Sequence, residues 1–396
     1  MRYREVAPFM IRAGMTVAAF LPFLFSRQSI ILALACVWAI DLYSFCAAML
    51  DARFLYLAMA LIYLLTDPKS INNCKKLLMV WAYFAFVCLL YVDNQQFLAM
   101  TIVGIAVFSG VKEESDLKVL NNGLVIVAFY YSVLYLLNRD AFAVVYVGDL
   151  GLERSGWINP NVFGSFISLG AVIAVGHLTK HIGMNTTIIE RWLYIATVAL
   201  GFIVLILLAS RGALVTFVVS TFLFVLFSGS KKSYKILFVA LMVILTFALY
   251  RNGYFELIQY RMELDTNATV GNRSQIWESK LEAFSHFNVF EVFFGIGRSG
   301  CESIQSEGIM RSTHNDFITA LVGYGLFGLL LYVALYVRVF FKADRKKRLA
   351  IAILLLAMAM EASVAESIFR AHLTSIMFFV FIYKYAVMPT NGGAKR

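Results

Sequence analysis

Long, unbroken apolar segments recur along almost all of this chain of 396 residues, and they constrain its fold more than any other feature. Hydrophobic residues make up 61% of the sequence and charged residues 15%, against about 45–50% and about 25% in soluble domains. Such a chain cannot bury its apolar surface by folding on itself in water, which predicts an integral membrane protein. The runs show no alternation of period two, so they predict helices rather than the strands of a barrel.

Candidate spans occur along the whole chain, since a helix needs about 20 apolar residues to cross a bilayer. They are 8–25, 29–49, 53–66, 77–92, 96–111, 120–138, 161–178, 192–209, 212–228, 236–250, 316–341, 349–363 and 371–388. An odd number of spans would place the two basic termini on opposite sides, so we expect that one of the first three does not cross fully. The prediction is an all-α polytopic membrane protein, with residues 1–396 forming a single integral domain of about 12 transmembrane helices.

Basic residues cluster in short loops, which is the pattern of the positive-inside bias in membrane proteins. The clusters lie at 75–76, 112–118, 180–191, 231–235, 342–348 and 395–396. One alternation of the spans puts all of them on the cytoplasmic side, so the net charge of +10 predicts orientation in the membrane and no nucleic-acid partner. The same alternation puts 139–160, 209–212 and 251–315 on the outer face.

Segment 251–315 is the longest polar stretch of the chain and contains the aromatic residues Tyr254, Tyr260 and Trp277. The residues from Ser274 to Phe284 have a helical pattern. A loop of this length inside a compact protein usually has a function. We therefore expect a lid of short amphipathic helices lying over the membrane surface.

His314 stands at the end of the lid segment, where the polar residues from Arg311 to Asp316 meet an apolar run. An imidazole has an unperturbed pKa of about 6.5 and can exchange a proton under physiological conditions. The neighbours Thr313 and Asn315 are polar, so the position favours a catalytic histidine over a packed core histidine. Asp316 is a candidate for the cap of the helix that follows.

Two arginines stand near predicted helix starts on the same outer face. Arg211 interrupts apolar sequence, where a cation either snorkels to the interface or finds an anion. The following Gly212 lets another backbone or a ligand approach, and the free N–H groups of a helix N-terminus attract anions. Arg273 opens a predicted lid helix, at the end where cations are disfavoured. Both are candidate anion ligands, with an ordinary boundary or surface charge as the alternative.

A third cation, Arg154, precedes another span on this face. In the Asn159-Pro160-Asn161 element that follows, Pro160 sets a turn and Asn161 is a suitable helix cap, so a structural role is favoured for both asparagines. These residues together predict an anion site with a base nearby, at the outer boundary between membrane and water. Arginine suits phosphate because its planar donors bind it in bidentate fashion.

Several common catalytic motifs do not occur in the sequence. It has no P-loop, no HExxH, no Gly-x-Ser-x-Gly, and no Asp-x-Asp pair of the kind that holds a divalent metal. The five cysteines show neither CxxC nor CxxH spacing. We therefore expect no metal site and no other cofactor.

Three short motifs resemble the O-antigen ligase and O-antigen polymerase superfamily of bacterial envelope glycosyltransferases. They are LLASRGA at 207–213, GNRSQIW at 271–277, and HN at 314–315 followed nine residues later by GLFG at 325–328. The Asn159-Pro160-Asn161 element is also similar. The hydropathy of essentially the whole chain fits this resemblance, including one large outer loop before the last spans.

The resemblance implies a GT-C-like, metal-independent glycosyltransferase of the bacterial inner membrane, with its active site facing the periplasm. Its donor would be a glycan on undecaprenyl pyrophosphate. The acceptor would be a sugar of the lipid A-core in a ligase, or a second lipid-linked glycan in a polymerase. By motif match, Arg211 and Arg273 would hold the pyrophosphate and His314 would activate the acceptor hydroxyl.

The remaining assignments are looser. Arg154 would be a third phosphate contact by a looser motif match, and Asn161, Asn315 and Arg311 are expected to contribute to substrate binding. The glycines at 323, 325 and 328 are interpreted as small residues that permit close helix packing.

The spacing of the last motif favours a ligase, and a polymerase is the alternative. A transporter of lipid-linked oligosaccharide is a third interpretation, which predicts charged residues near the middle of the bilayer and two related halves with broken helices. Asp41 is the one clear mid-span acid found in the sequence, which disfavours a transporter.

Overall fold

The structure is a computed structural model of the chain. It describes residues 60–61, 63–64, 68–137, 145–146, 152–153, 160–208, 210–229, single positions between 232 and 251, 273–306, 309–310, 312–364, 368–369 and 373–388. The predicted spans 8–25 and 29–49 lie outside these residues, as does most of 53–66.

Helices dominate the described part of the chain. They are α1 (Pro68–Leu90), α2 (Gln95–Gly110), α3 (Glu114–Leu137), α4 (Pro160–Leu178), α5 (Ile188–Leu207), α6 (Arg211–Leu226), α7 (Arg273–Ser285), α8 (Val289–Phe294), α9 (Gly297–Ser303), α10 (Asp316–Lys342), α11 (Arg348–Val364) and α12 (Leu373–Val387). Two antiparallel hairpins of two-residue strands complete the list: β1 (Val145–Tyr146) with β2 (Leu152–Glu153), and β3 (Gln305–Ser306) with β4 (Ile309–Met310).

The predicted spans from residue 77 onwards coincide with helices α1–α6 and α10–α12, apart from 236–250, of which only single helical positions are described. Helices α1, α3 and α5 begin earlier than predicted because each includes a polar first part. In α5, Thr187 and Glu190 form a capping box that stabilises this polar start. The helical fold class is confirmed for the described residues.

Among the described helices, three are long and apolar enough to cross a membrane: α3, α5 and α10. Shorter apolar helices lie within α1, α2, α4, α6 and α12. These apolar helices fit a membrane protein, while the total of about 12 spans stays a prediction.

Helix α4 is the centre of the bundle and packs against α3, α5 and α6. Its side chains Phe163 and Phe166 are fully buried. Both contact the ring of Tyr131 in α3, with ring centroids 4.5 Å and 5.5 Å apart. Aromatic contacts of this kind stabilise a core beyond the burial of their area.

The predicted basic loops at 112–118, 180–191 and 342–348 lie together at one end of the bundle, which we call the basic end. Lys384 Nζ of α12 donates to Val111 O, in the loop between α2 and α3, at 2.8 Å. Lys347 Nζ, between α10 and α11, donates to Tyr385 O at 3.0 Å. The Tyr385 hydroxyl donates to His181 O at 3.1 Å. The predicted alternation of spans requires these loops to lie on the same side of the membrane, and their contacts agree with this. Which side they face stays a prediction.

The opposite end carries the helices α7, α8 and α9, and we call it the lid end. The loop between α1 and α2 binds α9, because the Asp93 carboxylate accepts hydrogen bonds from the backbone N–H and the hydroxyl of Ser299. The Tyr91 hydroxyl donates to Gly295 O at 2.6 Å. Short helices are therefore present in segment 251–315, as predicted.

Helix α10 has a kink at Gly325, and α8 packs into it. Gly325 has φ 72° and ψ −176°, a backbone conformation essentially restricted to glycine. A β-carbon at this position would lie 2.3 Å from the carbonyl group of Phe293. The Tyr83 hydroxyl donates to Tyr324 O at 2.6 Å and to Phe293 O at 3.2 Å, which joins α1, α8 and α10. The interpretation of these glycines as sites of close packing is confirmed at Gly325.

We expect Gly325→Ala to destabilise the protein by about 2–4 kcal/mol, because the new methyl group clashes with α8 and the backbone conformation disfavours any side chain. Thermal unfolding of the purified protein in detergent would measure this change. Gly229→Ala is the matched control, since an added β-carbon there meets no atom within 4 Å. Equal unfolding midpoints for the two variants would contradict this account of the kink.

Candidate active site

His314 lies in a tight turn directly before α10, and its backbone is in the left-handed region with φ 49°. The preceding Thr313 is fully buried. Its hydroxyl lies 2.5 Å from the hydroxyl of Thr319 and 3.2 Å from Asn315 O, to which it donates. Histidine tolerates the left-handed region better than most residues do. The turn therefore holds the His314 backbone in one defined position.

Asn315 is the N-cap of α10. Its Oδ1 accepts from the backbone N–H groups of Phe317 at 2.9 Å and Ile318 at 3.1 Å. Its Nδ2 donates to Ser363 O, at the end of α11, at 3.2 Å. The interpretation of Asp316 as the cap is therefore wrong. The Asn315 side chain also has a structural role in addition to the substrate contact predicted for it.

Asp316 instead binds a different part of the chain. Its carboxylate is fully buried and accepts from the backbone N–H groups of Ile368 at 3.0 Å and Phe369 at 3.5 Å. The Tyr332 hydroxyl also donates to it, at 3.4 Å. Asp316 thus holds the described turn between α11 and α12 against the start of α10.

Arg273 is brought towards His314 by the helix that it opens. Trp277 lies one turn further along α7, and its indole Nε1–H donates to Thr313 O at 2.8 Å. Residues four apart lie on the same face of a helix, with their Cβ atoms about 5–6 Å apart. Arg273 therefore lies on the face of α7 that docks beside the His314 turn.

Arg211 is the first residue of α6, and both of its neighbours make close helix contacts. A β-carbon on Gly164 of α4 would lie 2.6 Å from Ser210 Oγ, and one on Gly212 would lie 2.4 Å from Val364 Cγ2 of α11. Val364 directly follows the residue whose carbonyl accepts from Asn315. One continuous set of contacts therefore connects the start of α6, the end of α11 and the His314 turn.

The structure thus brings together the elements that carry His314, Arg211 and Arg273 at the lid end. Arg154 and Arg311 lie outside the described residues. Helix α4 begins at Pro160, so Asn161 lies in the first turn rather than at the predicted cap position. Proline is favoured as the first residue of a helix because its missing N–H needs no partner there.

Glu361 is a buried acid that the sequence analysis missed. It lies in α11 with 1% of its surface exposed, and it accepts from Ser165 Oγ at 2.6 Å and from Ser168 Oγ at 2.7 Å. The available signal was an acid directly after the apolar residues 349–360. The predicted mid-span acid, Asp41, lies outside the described residues.

An apolar cavity of about 120 Å³ lies between α1, α2, α10 and α12. Its polar side chains have partners: Trp81 Nε1 donates to Thr101 Oγ1 at 2.7 Å, and the hydroxyls of Tyr332 and Tyr336 lie 3.0 Å apart. No charged side chain lines it among the described residues. The cavity is therefore suited to hydrocarbon and not to an anion.

The described residues contain no group of three or more His, Cys, Asp and Glu side chains that is placed to hold a metal ion. The absence of a metal site in the whole chain stays a prediction.

The apolar helices and the polar lid are those of a polytopic membrane protein with a candidate anion site at one end. Residues 196–333 match the O-antigen ligase family, and this segment contains Arg211, Arg273, His314 and the lid helices α7–α9. The resemblance predicted from the three motifs is therefore confirmed for this segment, which is similar to O-antigen ligases. It supports an enzyme of the glycosyltransferase kind found in that family. A comparison with curated proteins finds no significant match.

Proposed function

We propose that the protein transfers a glycan from undecaprenyl pyrophosphate to a sugar hydroxyl of the lipid A-core, as an O-antigen ligase does. The observation that carries this proposal is the convergence of two elements within the matched segment. Helix α7, which begins at Arg273, is hydrogen-bonded through Trp277 to the turn that contains His314. A cation for the leaving group and a base for the acceptor thereby belong to one site.

Arg211 and Arg273 bind the pyrophosphate in this proposal. Cleavage of the bond between the sugar and the pyrophosphate leaves negative charge on the departing phosphate oxygen, and guanidinium groups stabilise this charge without a metal. The first N–H groups of α6 add donors next to Arg211, and the Ser210 side chain does not cap them. Arg154 and Arg311 are proposed as further phosphate or glycan contacts, and Asn161 as a glycan contact.

His314 acts as the general base. It removes the proton of the acceptor hydroxyl as the oxygen attacks the anomeric carbon, and a base in this role typically contributes about 10²–10⁴-fold in rate. Asn315 fixes the turn by capping α10 and by binding Ser363 O, so we assign to it the orientation of His314 as well as contact with the acceptor.

The proposal places residues 1–396 in the bacterial inner membrane as one integral domain, with the lid of 251–315 facing the periplasm. The meeting of the basic loops at the opposite end of the bundle supports this orientation. The apolar cavity beside α10 suits the hydrocarbon part of a lipid-linked substrate.

Deletion of the gene tests this proposal against the polymerase alternative, with lipopolysaccharide analysed on a gel. We expect lipid A-core without repeat units, and long glycan chains that remain on the carrier lipid. Lipid A-core bearing a single repeat would instead identify a polymerase. An unchanged ladder of chains, with the gene absent, would contradict both functions.

A further inference from the structure

Glu361 is a fully buried ionisable residue with no role in the proposed reaction. Both of its oxygens accept hydrogen bonds from α4, at 2.6 Å from Ser165 Oγ and 2.7 Å from Ser168 Oγ. A buried carboxylate is expensive unless it is hydrogen-bonded, so these hydroxyl groups hold it in place. The carboxylate therefore joins α11 to α4, and α6 packs against both of these helices.

This contact lies close in the chain to the residues that pack on either side of Arg211. Ser165 follows Gly164, the residue that packs against Ser210 on one side of the arginine. Glu361 lies one helical turn before Val364, the residue that packs against Gly212 on the other side. The hydrogen bonds of the carboxylate thus hold together the two helices between which the start of α6 is packed.

The same end of α11 also reaches the His314 turn. Ser363 O accepts from Asn315 Nδ2 at 3.2 Å, and Asn315 caps α10 immediately after His314. A shift of α11 relative to α4 would therefore displace the arginine and the histidine with respect to each other. Misplacement by about 1 Å can cost on the order of 10²-fold in an enzymatic rate.

We propose that Glu361 is a positioning residue: its carboxylate joins α4 to α11, the two helices between which the start of α6 is packed, and so sets the position of Arg211 relative to His314. This inference rests on the proposed function for its catalytic consequence. The expected effect of Glu361 on the affinity of Arg211 for an anion does not depend on which reaction the protein catalyses.

The test is Glu361→Gln, which keeps the volume of the side chain and loses one of the two acceptor oxygens. We expect the affinity for inorganic pyrophosphate to fall about tenfold and kcat for glycan transfer to fall at least about tenfold. Both are measured on folded, purified protein well below its unfolding temperature. Ser220→Ala is the matched control, because Ser220 lies in α6, is fully buried, and makes no hydrogen bond among the described residues. We expect wild-type values for it.

If Glu361→Gln does not fold, Ser165→Ala provides the same measurement with the carboxylate intact, and we again expect a loss of both quantities. The double variant Ser165→Ala, Glu361→Gln is expected to have the same pyrophosphate affinity and kcat as Glu361→Gln alone, because both replacements remove the same contact. Wild-type pyrophosphate affinity and kcat in the folded variant would overturn the inference and leave the proposed function intact. A second outcome separates the two claims in the other direction. If Glu361→Gln binds pyrophosphate more weakly than the wild type, but the wild type transfers no glycan, the inference is supported and the proposed function is overturned.

Discussion

Replacement of His314 by alanine is expected to lower the rate of glycan transfer by about 10²–10⁴-fold, because the acceptor hydroxyl loses its general base. The affinity for the pyrophosphate-linked donor is expected to remain close to that of the wild type, since Arg211 and Arg273 are unchanged. The measurement is transfer by purified protein under donor saturation, with donor binding determined separately.

The backbone of His314 requires a second variant as a control. Alanine at φ 49° tolerates the left-handed region less well than histidine does, so this replacement also adds backbone strain. Asparagine tolerates this region and has no imidazole, so His314→Asn separates loss of the base from strain in the turn. We expect both variants to lose about 10²–10⁴-fold in transfer rate and His314→Asn to unfold at the wild-type temperature. Transfer at the wild-type rate by either variant would rule out His314 as the base.

Arg211→Lys is expected to weaken donor binding by about 10- to 100-fold, the loss that corresponds to one charge-assisted hydrogen bond of about 1.5–3 kcal/mol. Lysine keeps the positive charge, but it does not reproduce the planar pair of donors that a phosphate accepts. The dissociation constant of the donor, measured on purified protein, checks this result.

The matched control is Arg191→Lys, in the first turn of α5 at the basic end. The Arg191 side chain donates to Thr186 Oγ1 at 3.2 Å in an exposed position, so its replacement tests the general effect of losing an arginine near a helix start. We expect no change in donor affinity for this variant. If Arg211→Lys behaved in the same way, Arg211 would be a boundary arginine that snorkels to the membrane surface.

Much of the fold could be predicted from the sequence because the membrane imposes a simple requirement. A span must be apolar over its whole length, and hydropathy therefore located helices such as α4 and α10 to within a few residues. The helical pattern from Ser274 to Phe284 likewise corresponds to α7. Hydropathy does not detect the polar first turns of a helix. For this reason α3 begins at Glu114 and not at the predicted residue 120.

The sequence indicated which residues belong to the candidate site, but it did not indicate all of the contacts that hold them in place. Asn315 and Asp316 are both suitable caps, and the choice between them depends on Ile368 and Phe369, which lie far along the chain and bind Asp316. The partners of Glu361 are still more distant, at 196 and 193 residues from it. No local pattern identifies such contacts, because they arise only when the helices pack.

The most direct test of the central claim is glycan transfer by the purified protein in phospholipid vesicles that contain EDTA. The vesicles carry a glycan on undecaprenyl pyrophosphate and lipid A-core as acceptor. We predict transfer with release of one carrier pyrophosphate for each glycan moved, and no transfer by His314→Asn. Folded wild-type protein that transfers no glycan, or that does so only when a divalent metal is added, would contradict the proposed function.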